Sequence, residues 1–224
     1  MNTLRGWLPS ILLVVGTGLF LTFTLRGLGP SGSGVGPMLA MQSAWLRAPA
    51  IHASGIIVQE QKSVDLRNAS SNSTQATRFD FWRAAGSLRR LAVYSPGAGG
   101  PDVIVLTPER GMQKPWGGIL HTSPHPESVD LFPLPDPDSD DLTYYRHARV
   151  WRLGSPETVH GVLCDRIVGE AANAQFSFYV DRTNHFPHRI EIRRDTTRFV
   201  QHLLVDVQVI ESQASAPPGL FEKP

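Results

Sequence analysis

Two kinds of hydrophobic pattern divide this chain. From Trp7 to Leu25 no residue is charged, and Arg5 and Arg26 bracket the stretch. A helix of that length spans roughly 28 Å, close to the hydrocarbon thickness of a bilayer. A helix buried in a folded domain shows a polar stripe at helical spacing. Ile11-Leu12-Leu13-Val14-Val15, followed by Leu19-Phe20-Leu21, shows none. Residues 1–26 are therefore expected to form a membrane anchor or signal segment. Nothing like Ala-x-Ala follows the segment and Arg26 comes directly after it, which favours an uncleaved transmembrane helix; cleavage would release a secreted domain. The charge bias between Arg5 with the terminal amine and Arg26 places the N-terminus in the cytoplasm.

Residues 27–37 are rich in glycine, serine and proline, a flexible tether. Met38 to Arg47 predicts a short helix, with Leu39, Trp45 and Leu46 at helical spacing and Ala48-Pro49 as its stop. Beyond it the period changes to two. Strands are expected at Ile51–Glu60, at Arg78–Arg83 with Phe79 and Phe81 on one face, and at Leu88–Tyr94 with Leu91 and Val93 together. Val103–Leu106 is a continuous apolar run, as in a strand covered on both faces. A second set comprises Ala148–Leu153, Val159–Val168, Phe176–Asp181, Arg189–Arg193 and Phe199–Ile210. Phe176, Phe178 and Val180 fall on one face, as do Leu203, Val205, Val207 and Val209. Such spacing predicts a mainly β (α+β) domain over 38–224, built on an antiparallel sheet. Charged outward positions leave one face solvated, and the other is covered by a second sheet or by helices.

Met112 to Thr143 breaks the pattern. Prolines, Gly117-Gly118 and the acidic run ending in Asp140-Asp141 surround scattered apolar residues. A loop of that length in a compact domain is usually functional, which makes it the candidate lid or entrance, with Trp116, Leu120 and Phe132 as its apolar contacts.

Charge and chemistry remove more classes than they add. The chain holds 21 Lys and Arg against 20 Asp and Glu, without the basic excess of a nucleic-acid binder. Its one cysteine, Cys164, forms no intramolecular disulfide and sits in the apolar run Val162-Leu163-Cys164, as a buried thiol would. His121 and His125 are four apart, but Pro124 and Pro126 deny them a shared helical face. His185 and His188 flank a turn. Counted from Asp136, the sixth and twelfth positions hold Asp141 and His147, where a calcium loop needs glycine and glutamate. No Gly-x-Ser-x-Gly or glycine-rich phosphate loop occurs. No metal, cofactor or catalytic residue is expected.

Val159-His-Gly161-Val-Leu-Cys164-Asp-Arg-Ile167, Phe176-Ser-Phe178-Tyr-Val-Asp181-Arg-Thr, Pro187-His-Arg189-Ile190 and the ending Pro217-Pro218-Gly-Leu220-Phe221-Glu-Lys-Pro224 resemble the LolA/LolB-like proteins of outer-membrane lipoprotein sorting, over residues 38–224. The resemblance implies a half-open β-barrel of about eleven strands, closed by short helices around an apolar cavity for acyl chains. Phe79, Phe81, Phe176, Phe178 and Val180 would line that cavity. It further implies a non-enzymatic, membrane-tethered domain in the periplasm that binds a lipid or lipoprotein acyl chain. A domain held by an anchor cannot shuttle across an envelope, so a sensor or protein-interaction module with an envelope partner is the alternative. A hydrolase using His121, His125 and nearby acids and a metal comes third.

Overall fold

The computed structural model describes residues 34–63, 72–85, 88–124, 150–171, 174–196 and 199–224. The Trp7–Leu25 segment, His125 and Phe132 lie outside them. No described helix is long and apolar enough to cross a membrane.

One helix, α1 (Val35–Arg47), precedes twelve strands. These are β1 (Ala50–Ser63), β2 (Ser73–Ala84), β3 (Leu88–Tyr94), β4 (Asp102–Leu106), β5 (Gly111–Lys114), β6 (His121–Ser123), β7 (Val150–Leu153), β8 (Glu157–Val159), β9 (Val162–Ala171), β10 (Ala174–Asp181), β11 (Pro187–Asp195) and β12 (Phe199–Gln213). They form one sheet in the order β6-β5-β4-β3-β2-β1-β12-β11-β10-β9-β7, with β8 also paired to β9. Two meanders are thus sewn together where β1 and β12 pair antiparallel along their full lengths, from Ala50↔Gln213 to Ser63↔Phe199. The outermost strands of the order, β6 and β7, do not pair with each other, so the barrel is open.

The sheet curls around α1. A Cβ on Gly34, at the start of the helix, would touch the backbone of Trp151 and Arg152 in β7 at 2.9 Å. At the other end, Arg83 of β2 donates from Nη1 to the Trp45 carbonyl at 3.1 Å. Six strand spacings separate β2 from β7, about 29 Å along a flat sheet. The helix covers only about 17 Å between Gly34 and Trp45. It is therefore a chord across a concave face.

The buried face of α1 is Met38, Met41 and Trp45. Leu39 and Leu46, expected on it, are exposed, because the three- and four-residue steps run from Met38 and not from Leu39. On the sheet the alternation holds: Ile51, Ala53 and Ile57, Phe79 and Phe81, Leu91, Ile167, Phe176, Phe178 and Val180, Ile190 and Ile192, and Val205 and Val207 join one core with α1. Val209 departs from its expected face. Ser54 pairs with Val209 but Gly55 with Val207, so Gln208 is an extra residue and the face of β12 switches. Ile210 packs against the core and Val209 turns outward. Gly55 permits this bulge, since a Cβ there would lie 2.0 Å from the Asp206 carbonyl oxygen.

Further differences from the sequence expectations are local. Among the described residues one helix, not several, covers the concave face. Val159–Val168 is not one strand: His160 (φ 51) and Gly161 (φ 81) form a two-residue turn between β8 and β9, the left-handed pair that suits the twist of a hairpin. The start of the predicted 112–143 loop is strand. Met112 is buried with Ala92, Val103 and Val105, and Phe221 packs on that outer patch. With Ile104 turned to the main core, β4 is covered on both faces as its unbroken apolar run predicts.

Candidate functional site

The five residues expected to line an acyl cavity do converge on the concave face. Phe79 and Phe81 come from β2, Phe176, Phe178 and Val180 from β10, and none is more than 2% exposed. What covers them is α1. Trp45 is fully buried, with its ring centroid 6.2 Å from both Phe81 and Phe186. Trp151 of β7 closes the other side, 6.0 Å from Phe178. The helix thus fills the concave face on which the sequence resemblance implied an acyl cavity.

Its seat has weak points. Gly34 caps the N-terminus without a side-chain hydrogen bond, and no acidic residue stands in the first turn. The buried Trp45 Nε1 has no hydrogen-bond partner among the described residues, which costs about 1–3 kcal/mol in an apolar setting. The C-terminal end is held better, by the Arg83 bond to the Trp45 carbonyl and by Ala85 donating to the Pro49 carbonyl at 3.2 Å.

Of the expected entrance residues, Phe132 lies outside the described residues, and Trp116 and Leu120 stand away from the main core. Trp116 and Leu120 sit in the turn between β5 and β6, where Gly118 N–H donates to the Pro115 carbonyl at 3.0 Å and Gly117 takes φ 67. Trp116 lies across Gly99 and Gly100, on which a Cβ would meet its ring at 2.9 and 2.2 Å. Trp116, Ile119 and Leu120 are 56%, 80% and 47% exposed and stand outside the main core.

The convex face carries polar clusters that residue spacing alone did not single out. His52 stacks on Trp82 at 4.3 Å and meets Asp80 at 2.8 Å, with Arg90 3.9 Å from that carboxylate. Tyr179 lies between the Arg166 and Arg189 guanidiniums, at 5.6 and 5.5 Å, and donates to Glu191 at 3.2 Å. Burial, then the Glu191 charge, pushes its hydroxyl up to about 12. Asp206 pairs with Arg189 and with His160, at 3.6 and 3.0 Å. Beneath β8, Cys164 packs with Val159 and Tyr179. Burial foremost, with Asp181 next, raises its thiol to about 11, so it stays protonated near neutral pH. Beside this network a groove of about 490 Å³ opens across β9, β10, β11, β12 and β1. Alternation could have assigned these side chains to the outer face, but not gathered them around a hollow. Among the described residues no three His, Cys, Asp or Glu converge as a metal site would require.

No protein-family model matches the chain. No curated protein matches it by sequence. By structure it is similar to MucB at 12% identity over 86% of this chain and 63% of that one, with a TM-score of 0.52. It is also similar to an uncharacterized conserved protein from Thermus thermophilus, at 12% identity over 86% of this chain and 94% of that one, with a TM-score of 0.54. LolA superfamily protein NE2245 from Nitrosomonas europaea matches at 9% identity over 84% of this chain and 96% of that one, with a TM-score of 0.39. The chain therefore spans less than two thirds of MucB, a protein solved in Pseudomonas aeruginosa in complex with MucA. At these identities the likeness is one of fold.

Proposed function

We propose that this chain is a non-enzymatic binding domain of the cell envelope, tethered by residues 1–26, that takes an acyl chain of a lipid or lipoprotein on its concave face in exchange for α1. The observation that carries this reading is the apolar concave face spanned, among the described residues, by one helix with a poorly capped N-terminus and a Trp45 Nε1 that none of them bonds. Displacing α1 would uncover Phe79, Phe81, Phe176, Phe178 and Val180 together. An acyl chain would restore the apolar contacts that Met38, Met41 and Trp45 give up, at about 0.8 kcal/mol per buried methylene. Tethering confines the domain to one membrane, which suits reception or sensing better than transport.

Lipid extraction and native mass spectrometry of the full chain purified from membranes test the proposal. An acyl-bearing ligand near one per chain is expected, as is uptake of a fluorescent fatty acid with a red shift of the Trp45 emission. Neither co-purifying lipid nor uptake would sink it.

A second reading, a protein-interaction module, rests on the exposed Trp116, Ile119 and Leu120 in one short turn. Fold likeness to MucB, which is seen with MucA, agrees with it. Replacing Trp116 and Ile119 by serine would then abolish capture of the envelope partner while acyl uptake stays intact; capture that survives the change removes this reading.

A further inference from the structure

The groove on the convex face lies behind the sheet from α1, so a ligand there would not compete for the acyl position. Its walls follow from register. Lys62 pairs in the ladder with Val200, Glu60 with His202, His202 with Arg193, Arg193 with Gln175 and Ser177 with Glu191. These are the outward positions of four adjacent strands, and Arg166 from β9 completes the lining. The volume, about 490 Å³, suits a small molecule. Val200 is the single apolar side chain of the lining, so an acyl chain is a poor occupant.

Charge selects the ligand class. Lys62, Arg166 and Arg193 face Glu60 and Glu191 across the groove, with His202 beside them. Most of these charges are already answered. Glu191 accepts from Tyr179 at 3.2 Å, Lys62 stands 3.8 Å from Glu60, and Arg193 meets Asp195 at 3.1 Å. Arg166 is the exception. Its partners are neutral, the Ser177 hydroxyl at 3.3 Å and the Tyr179 ring at 5.6 Å. Among the described residues no carboxylate pairs with it, and its buried Nε has no hydrogen-bond partner. A guanidinium held by a ring face and a buried serine is rigid, half desolvated and short of an anion. Its planar fork matches a carboxylate or phosphate.

We propose that this groove binds an oxyanion, a phosphate or carboxylate group, with Arg166 as the central contact and Lys62, Arg193 and His202 around it. The same chemistry is offered by a free solute and by a lipid headgroup presented at the membrane. Calorimetric titration of the full chain in detergent with inorganic phosphate and with acetate covers the first source. Co-sedimentation with phosphatidylcholine vesicles, with and without phosphatidic acid, covers the second. At least one arm should show saturable binding that weakens tenfold or more in Arg166→Gln and less in Arg166→Lys. Should Arg166→Gln unfold, which circular dichroism would show, the pair Lys62→Gln and His202→Gln leaves the Tyr179 packing alone and should weaken binding several-fold. Binding in the phosphate or acetate arm assigns a solute, and binding confined to phosphatidic acid vesicles assigns a headgroup. Absence of saturable binding in every arm overturns the site, and so does binding indifferent to both sets of variants. A failed acyl-uptake experiment would leave this result standing, since the two sites lie on opposite faces.

Discussion

Gly55 illustrates how much of this fold rests on single residues. Its missing side chain lets β12 carry the extra residue Gln208 past β1, and the Asp206 carbonyl fills the space a Cβ would need. Gly55→Ala should therefore lower stability by about 1–3 kcal/mol, read as a lower urea midpoint with an unchanged slope. Titratable residues behave in opposite senses at the two ends of the pH scale. Burial holds Cys164 and Tyr179 neutral, with folded values of about 11 and 12 against ordinary values of 9.0 and 10.0. Above pH 9 the unfolded chain loses these protons first, so their contribution is complete below pH 9 and is lost as pH rises toward 12. Thermal melts should fall across that window, and Tyr179→Phe should flatten the part above pH 10. His188 works the other way. Burial lowers its pKa from 6.5 against the opposing pull of Asp181, so its neutral form is favoured on folding. Its contribution is present above the ordinary value and fades as pH falls below 6.5. His188→Gln should reduce the acid loss; an unchanged acid limb would contradict this.

At the scale of elements, α1 and the β8–β9 hairpin carry distinct consequences. Trp45 is the largest fully buried side chain among the described residues, and Trp45→Ala should cost about 3–5 kcal/mol in chemical unfolding. If α1 is exchangeable, the same variant should take up more fluorescent fatty acid under native conditions, an outcome that a merely packed helix would not produce. The hairpin turn depends on Gly161 at φ 81. Gly161→Ala should destabilise by about 1 kcal/mol and expose Cys164 to thiol reagents, because β8 covers the small core that holds it. The strands themselves are legible wherever residues alternate cleanly, as at Phe176, Phe178 and Val180. β5 and β6 are not, being short and set among prolines and glycines. The strand state of β5 comes from pairing with β4 and burial of Met112 beneath Phe221, partners more than a hundred residues apart in the latter case, and that of β6 from pairing with β5. The face of α1 is illegible for a related reason. Local spacing holds apolar residues on more than one side, and only docking on the sheet selects Met38, Met41 and Trp45.

For the whole molecule, the proposal of a tether predicts that the full chain partitions with membranes in cell fractionation and that protease added outside the cytoplasmic membrane degrades the domain. A soluble fraction holding the intact full-length chain would defeat it. Residue order by itself determined the uncharged N-terminal segment, the change of period from helix to strand, the antiparallel hairpins and most inward-facing side chains. These follow from charge, local sterics and alternation, all of which act within a few residues. Tertiary structure alone decided that β1 and β12 would join the two meanders, that the sheet would curl, and that α1 would span its concave face. It also decided that Arg166 would stand on the convex face with no carboxylate partner among the described residues. Each of these depends on contacts between residues far apart in the chain, whose energies no local pattern records. The Phe and Val residues of the concave face were thus legible as inward, but whether they meet a ligand or a helix was set by where α1 comes to rest.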